Sequence, residues 1–386
     1  MFEYIDTNIK LENFLQTIQT AKWVILDTEF IREKTYYPRL CLIQLATDQQ
    51  LACIDPLTIT NLEPFFQFLR QTDRVKVLHA AWQDLEIFYY LSGGQTLSPI
   101  FDSQIAAAVL GLGDQLGYAR LVEDLLGVQL DKSQSRTDWA RRPLNKAQLA
   151  YAIDDVRYLR DLYPILQEKL ASTGRATWVS KPFKQLSEAD QYQPAPRSSW
   201  ERVKMVQLLK PRQLSILREL AAWRESLAIE KDLPRRWLVS DEILIDMARM
   251  KPNNLSEFKT IRGLSDEQIA RYGAQWLELI ALGYNLPTDS WPQLPRRRKL
   301  DNQLSLVADL LMVIVNQQAL QHNISPQMLA TRQQVEKMLT DGRSSLSDDW
   351  RGSLVNNTFE ALLSGRSCVR IHDQQITIEN SANAAI

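Results

Sequence analysis

Apolar and polar positions change period at a few places along the chain, and those places divide it. Residues 23–29, WVILDTE, run apolar and β-branched before turning acidic. LCLIQLAT at 40–47 and LACI at 51–54 follow at short spacing, with turn-forming residues between them. This pattern predicts a strand meander. A helical stretch at 61–70 precedes another short strand, VKVLHA, and helices are predicted around 82–91, 102–110 and 118–126. Strands first, then alternating helices and strands, predict one mixed-sheet α/β domain.

The segment NKAQLAYAIDDVRYLRDLYPILQEKL predicts a long helix. Asn145 fits the N-cap, and Gln148 three residues later completes a capping box. Leu149, Ala152, Val156, Leu159, Tyr163 and Leu166 recur at spacings of three and four, the stripe of an amphipathic helix. Pro164 interrupts it and is expected to kink or end the helix. The first domain is expected to close near residue 170.

Residues 171–205 mix Gly174, Pro182, Pro194 and Pro196 with Trp178, Phe183 and Trp200, which predicts an ordered connector, since a flexible linker would carry fewer aromatics. A helical pattern fills 206–286, LPTDSWPQLPRRRK breaks it, and a second helical region is predicted over 300–378. The two read as distant repeats. Leu233-Pro234 is followed by Trp237, Ile243 and Met247, and Ile324 with Pro326 by Leu329, Val335 and Leu339. The first copy carries Lys231, Arg235 and Arg236 where the second has Asn323, Gln327 and Met328, so the first is the better candidate for holding nucleic acid.

Composition narrows the class. With 386 residues, 45% of them hydrophobic, the chain can bury several cores, and its 45 basic and 46 acidic side chains cancel, so any affinity for nucleic acid must come from local patches. Three cysteines without a CxxC pair and three histidines argue against a disulfide framework and a zinc centre, and fit a reducing cytoplasm. The acidic N-terminus lacks the signature of an export signal, and the apolar run from Leu306 to Val315, interrupted by Asp309, is expected to be too short to span a bilayer.

Against that background three groups of acids stand out. Asp27 and Glu29 sit two apart at a strand end, so both carboxylates point to one face, an arrangement that suits hard divalent cations but also a solvated strand end. Asp84, in HAAWQDLEIF, follows a strand and opens a helix, where a sheet-edge site and a dipole-favoured surface acid are both open readings. Tyr151 and Asp155 share one face of the long helix, one turn apart. His79 reads as a packed residue, Asp154 as solvated, and Asp102 as a helix cap.

In order, LDTEF, HAAWQDLEIF and YAIDD resemble the three exonuclease motifs of the DEDD superfamily in its tyrosine-bearing branch. The flanking words TYYPRLCLIQLA, FDSQIAAAVLG and SRTDWARRPL resemble the ribonuclease D family. The likeness covers residues 21–170, and LAAWRESLAIEKDLPR resembles the HRDC helical domain shared by certain helicases and that family. The resemblance implies a ribonuclease H-like exonuclease domain over 1–170, the connector at 171–205, an HRDC domain at 206–286 and a divergent HRDC-like domain at 300–378.

It also implies an activity: 3′–5′ exoribonuclease action on RNA with a free 3′ end, transfer RNA precursors foremost, releasing nucleoside 5′-monophosphates. Two divalent cations, Mg²⁺ or Mn²⁺, would be held by Asp27, Glu29, Asp84 and Asp155, with Tyr151 aiming the water. The bases would stack on Phe30, Tyr36, Tyr37 and Trp139, and the phosphates would meet Arg136, Arg141, Arg142, Lys204, Lys210, Arg235, Arg236 and the Arg296–Lys299 run. No membrane and no protein partner is implied. A DNA exonuclease of the same superfamily and a nucleic-acid-binding scaffold with an inert nuclease domain are the competing readings. A chain ending near residue 200 is expected to keep cleaving short strands.

Overall fold

Six strands build the sheet that the alternating pattern predicts: β1 (Glu3–Ile5), β2 (Trp23–Ile31), β3 (Arg39–Ala46), β4 (Leu51–Ile54), β5 (Val75–Leu78) and β6 (Ile100–Asp102). The computed structural model describes residues 2–131, 133–134, 137–294 and 300–381. The strand order is β1-β4-β3-β2-β5-β6, so the predicted meander occupies the middle. β3 and β4 are antiparallel, while β1 with β4, β2 with β5 and β5 with β6 are parallel, giving a mixed sheet. Val24, Ile25 and Leu26 are all buried, as expected of a strand covered on both faces. β1 and β6 went unpredicted because three residues are too few to show a period.

Helices α1 (Asn8–Thr17), α2 (Glu63–Arg70), α3 (Trp82–Leu91), α4 (Ser103–Val109), α5 (Tyr118–Leu126) and α6 (Lys146–Ser172) belong to the same layer structure. The capping box forms as predicted, Asn145 accepting from the Gln148 N–H and Gln148 answering to the Asn145 N–H. Pro164 does not end α6, which runs on to Ser172. Burial of Leu162, Tyr163, Leu166 and Leu170 around the proline outweighs the missing backbone donor.

The chain divides into two compact units, one of Met1–Glu29, Leu40–Gln191 and Arg298–Ile386, the other of Phe30–Arg39 and Tyr192–Arg297. In the second unit, helices Pro211–Glu230, Asp241–Met250 and Asp266–Asn285 pack around Leu217, Phe258 and Trp276. In the first, Asn302–Gln321, Arg332–Thr340 and Trp350–Leu363 pack around Leu311, Leu329 and Phe359. Long, short and medium helices start at 211, 235 and 241 in one unit and at 302, 326 and 332 in the other, a constant offset. At that offset the buried pairs are Leu238 with Leu329, Leu244 with Val335 and Met247 with Met338. Trp237, expected to match Leu329, is instead 58% exposed.

Two further expectations change. The end of the second helical region is a β-hairpin, Ser367–His372 with Gln375–Asn380, turned by Asp373 and Gln374 at positive φ; without a glycine that turn carried no signal. The apolar segment inside 306–315 belongs to a 20-residue helix long and apolar enough to cross a membrane, and it buries Leu311, Ile314, Val315 and Ala319 in a domain core. Within the first unit Trp178 stacks on Trp350 at 4.1 Å. Gly111, at φ +79°, lets Asn323 approach so closely that a Cβ would lie 1.6 Å from the Asn323 carbonyl.

Candidate active site

β2 lifts Asp27 and Glu29 from the apolar run Val24–Leu26 into a recess, and α6 brings Asp155 to the same point. One carboxylate oxygen from each of the three lies within 4.8 Å of the others. Asp84, in the first turn of α3, is not in that trio but adjoins it: it is buried and accepts a hydrogen bond from the Thr28 hydroxyl. Thr28, between the two acids of β2, therefore ties the first motif to the second. Sequence reasoning passed over it, although a threonine inside an acidic pair is a donor in the right place.

Among the described residues no basic side chain forms an ion pair with any of these four acids. Burial, then the neighbouring Asp155 charge, hold Asp27 well above the usual carboxylate range. Burial followed by Asp27, Asp155 and Asp84 push Glu29 up to about 9, and burial with Asp154 pushes Asp155 to about 7. Asp84 is raised by burial and by Asp27, a rise the Thr28 hydrogen bond opposes. Without a counter-charge such a group holds protons at neutral pH, and it takes up cations in exchange for them.

The scaffold behind the acids is specific. Asp102 caps α4 through the Gln104 and Ile105 N–H groups, as predicted, and also accepts from Ala80 and Ala81, so it fixes the turn that enters α3 and Asp84. Tyr118 of α5, which sequence reasoning missed, donates to the Asp154 carbonyl at 2.8 Å and accepts from the Leu159 N–H at 3.0 Å. It thereby braces α6 beside Asp155. Asp154 itself pairs with Arg157. His79 packs against Tyr118 and bonds to Ser103, and burial keeps its imidazole below its ordinary pKa.

Tyr151 faces the trio: burial, then the charges of Asp155, Glu29 and Asp27, raise its phenol above the ordinary value, so it remains a donor. Its ring lies 6.1 Å from that of Trp139. Trp139 is 3% exposed and so braces Tyr151 instead of offering a face to RNA bases.

Other expected RNA contacts are also taken up internally. Arg142 binds Asp55 through two nitrogens at 2.6 and 2.7 Å and donates to the Cys41 carbonyl, because Asp55 is buried and needs a partner. In the second unit Tyr36 is buried and donates to Glu225, and Arg235 binds the same carboxylate. Arg141, Lys204, Lys210 and Arg236 are exposed, while Phe30 and Tyr37 are half-buried. Arg136 and the Arg296–Lys299 run lie outside the described residues. A cavity of about 480 Å³ in the second unit, lined by Lys231, Trp237, Arg271 and Tyr272, joins basic and aromatic groups that the sequence left apart.

Comparison with known proteins shows what the chain as a whole is similar to. The 3′–5′ exonuclease family pattern matches residues 2–171 and the HRDC domain pattern matches 213–280. The chain is 37% identical to a ribonuclease D of Bartonella henselae over 371 residues, 95% of this chain and 91% of that one. It is 36% identical to a ribonuclease D of Jannaschia sp. over 385 residues, covering 97% and 98%. The crystal structure of Escherichia coli RNase D, described as an exoribonuclease involved in structured RNA processing, is similar at a TM-score of 0.81 and 33% identity, with 95% of this chain and 99% of that one covered.

Proposed function

The chain belongs to the ribonuclease D family, and from that premise we propose that its acidic recess is where RNA is hydrolysed from the 3′ end. Its activity is that of a 3′–5′ exoribonuclease, a hydrolase of phosphodiester bonds. The observation that carries the assignment to this recess is the convergence of Asp27, Glu29 and Asp155 within 4.8 Å with no basic partner among the described residues.

Such a donor set fits divalent cations. All the ligand atoms are hard carboxylate oxygens, and among the described residues no basic side chain pairs with them. Asp27, Glu29 and Asp155 would hold one ion, and Asp84 with Asp27 a second, Mg²⁺ or Mn²⁺. When bound, the ions supply an acidified water as nucleophile and positive charge beside the departing 3′ oxygen. Tyr151 keeps its proton and so orients an oxygen in the recess by donating to it. Thr28 holds the Asp84 carboxylate in one orientation, and Tyr118 holds the turn of α6 that presents Asp155.

The substrate is RNA with a free 3′ end, transfer RNA precursors in the cytoplasm being the proposed setting, and the products are nucleoside 5′-monophosphates. The first helical domain, over 206–286, would hold RNA at the cavity formed by Lys231, Trp237, Arg271 and Tyr272, where a base stacks and phosphates meet cations. The test is to incubate the full-length protein with a 3′-extended transfer RNA, a matching DNA strand and a 3′-phosphorylated RNA, with Mg²⁺ or Mn²⁺. Metal-dependent release of 5′-monophosphates from the first substrate alone is expected. Equal turnover of the DNA strand would make it a general exonuclease, and absence of mononucleotide release would overturn the assignment.

A further inference from the structure

The two helical copies carry the same turn. At the offset that relates them Asp232 falls on Asn323, and both sit at φ +47°. The caps that follow agree as well: Ser240 accepts from the Ile243 N–H in one copy, and Thr331 from the Gln334 N–H in the other. What surrounds the turn differs. In the first copy Lys231 and Trp237 line the cavity of about 480 Å³, and Trp237 is exposed. The matching residues of the second copy are His322 and Met328, both half-buried, so the long-stemmed cation and the open aromatic face are replaced together.

The second turn is occupied by the nuclease domain, which belongs to the same compact unit. Arg175 donates to the His322 carbonyl through one nitrogen and, through another, to the Val109 carbonyl at the end of α4, at 2.8 Å. The Ser325 hydroxyl donates to Asp114 while accepting from the Gln327 N–H at 3.2 Å. Asn323 presents its carbonyl to Gly111, where no Cβ fits and the positive φ already favours glycine. Beside these contacts Trp178 of the connector lies parallel to Trp350 within 2°, and the Arg175 guanidinium stands 5.1 Å from the centre of the Trp178 ring.

A cavity of about 600 Å³ on the second copy does not offer the chemistry of the first. Met312, Asn316 and Arg332 are among its lining residues, but Arg332 is paired with Asp309 and Glu336, and no aromatic lines it among the described residues. We propose that the second helical domain is a docking domain: its turn at residues 322–325 is committed to the α4–α5 turn of the nuclease domain, and of the two copies only the first holds RNA. The inference rests on the reading of the first copy's cavity as an RNA site. Gln104 also holds the α4–α5 turn, through the Leu116 carbonyl at 3.1 Å, and Tyr118 holds α5 to α6. Turnover of short strands should therefore survive loss of the dock.

The test uses the full-length protein with Gly111→Ala, Arg175→Gln and Ser325→Ala as dock variants. A double variant, Lys337→Ala with Arg343→Ala, removes two exposed cations of the second copy, and Trp237→Ala serves as the RNA-binding comparison. Amide exchange at Leu311, Ile314 and Val315, all buried in the second copy, reports how firmly that domain is held. Gly111→Ala should speed it about tenfold or more, since alanine must adopt a disfavoured backbone angle and displace Asn323. Each hydrogen-bond variant should speed it about three- to tenfold. Affinity for a 3′-extended transfer RNA, and its salt dependence, should match the parent in the dock variants and the double variant, whereas Trp237→Ala should weaken it about fivefold or more.

Parent exchange rates in all three dock variants would overturn the docking claim. So would weaker RNA binding or a flatter salt slope in the double variant, which would make the second copy an RNA contact. Should Gly111→Ala lose native helix content, the two milder variants decide. The two readings fail separately: if Trp237→Ala binds RNA like the parent, the first copy's cavity is not the RNA site, and the exchange rates still decide the dock.

Discussion

Replacing Asp27 by Asn keeps the shape of the side chain, removes a metal ligand and deletes the charge that, after burial, does most to raise Glu29. Two unit charges 4.8 Å apart at an effective dielectric of 20 repel by about 3.5 kcal/mol, and solvent in the part-open recess reduces this to about 1–2 kcal/mol. The sign over pH comes from linkage. The unfolded chain ionises Glu29 near the ordinary value of about 4.3, whereas the folded protein holds the proton until about 9. Stability without metal is therefore fully present below the lower value and declines as pH rises towards the upper one.

In Asp27→Asn that decline should be shallower. Amide exchange of Val24–Leu26, measured in chelator at pH 5 and pH 8.5, reports it locally. The variant should lose about 1–2 kcal/mol less than the parent between the two conditions. Added Mg²⁺ should stabilise the parent at pH 8.5 and leave the variant unmoved. Turnover should fall by about 10³-fold or more, the worth of several kcal/mol of metal catalysis. Identical pH slopes in the two proteins, or equal stabilisation by Mg²⁺, would refute the reasoning.

Tyr151→Phe should lower turnover about 10- to 100-fold while leaving the Mg²⁺ midpoint in place, whereas Asp155→Ala should raise that midpoint as well; titrating Mg²⁺ at saturating RNA separates them. Wild-type turnover in Tyr151→Phe would reduce the tyrosine to packing on Trp139. Burial alone would raise Asp55, but hydrogen bonds from Arg142 and Tyr4 hold it below the usual carboxylate range. Arg142→Gln should thus cost about 3–5 kcal/mol in denaturant unfolding at neutral pH, a gap that closes as acid protonates Asp55 in the parent; an unchanged midpoint would sink this account. Trp237→Ala should weaken binding of transfer-RNA-sized substrates by about 1–3 kcal/mol with turnover of short strands unchanged, and equal affinity would remove the cavity from RNA binding.

Most of the nuclease fold was legible because its signals are local. The apolar runs in 23–29, 40–47 and 51–54 gave the meander, and Asn145 with Gln148 gave the start of α6. The parts that escaped depend on partners distant in sequence. β1 and β6 exist because β4 and β5 offer parallel edges to three-residue segments. The hairpin at 367–380 was hidden by a turn without glycine, although Val369, Ile371, Ile376 and Ile378 alternate along it. The helical repeat was visible, but its register slipped because apolar character was taken as burial, and Trp237 breaks that rule.

The proposed catalytic set and the RNA contacts differ in legibility for a physical reason. Asp27, Glu29, Tyr151 and Asp155 announce themselves through strand and helix periods, which fix the face each side chain occupies. Arginine and tyrosine carry no such constraint, since the same guanidinium serves a phosphate or a buried carboxylate equally well. Arg142 and Arg235 went to Asp55 and Glu225. One signal was present: in the helix Pro211–Glu230, Leu217, Ala221 and Ala228 form an apolar stripe in which Glu225 occupies the intervening place, and a charge on a buried stripe demands a partner. That partner includes Tyr36, so removing everything after residue 200 would take away Glu225, Asp232 and Arg235 together, and with them these hydrogen bonds of the Phe30–Arg39 segment. Such a chain should unfold at a lower denaturant concentration than the parent while still cleaving short strands, as sequence alone predicts, and loss of that cleavage in a chain that keeps its native helix content would show that the nuclease reaction needs the helical domain.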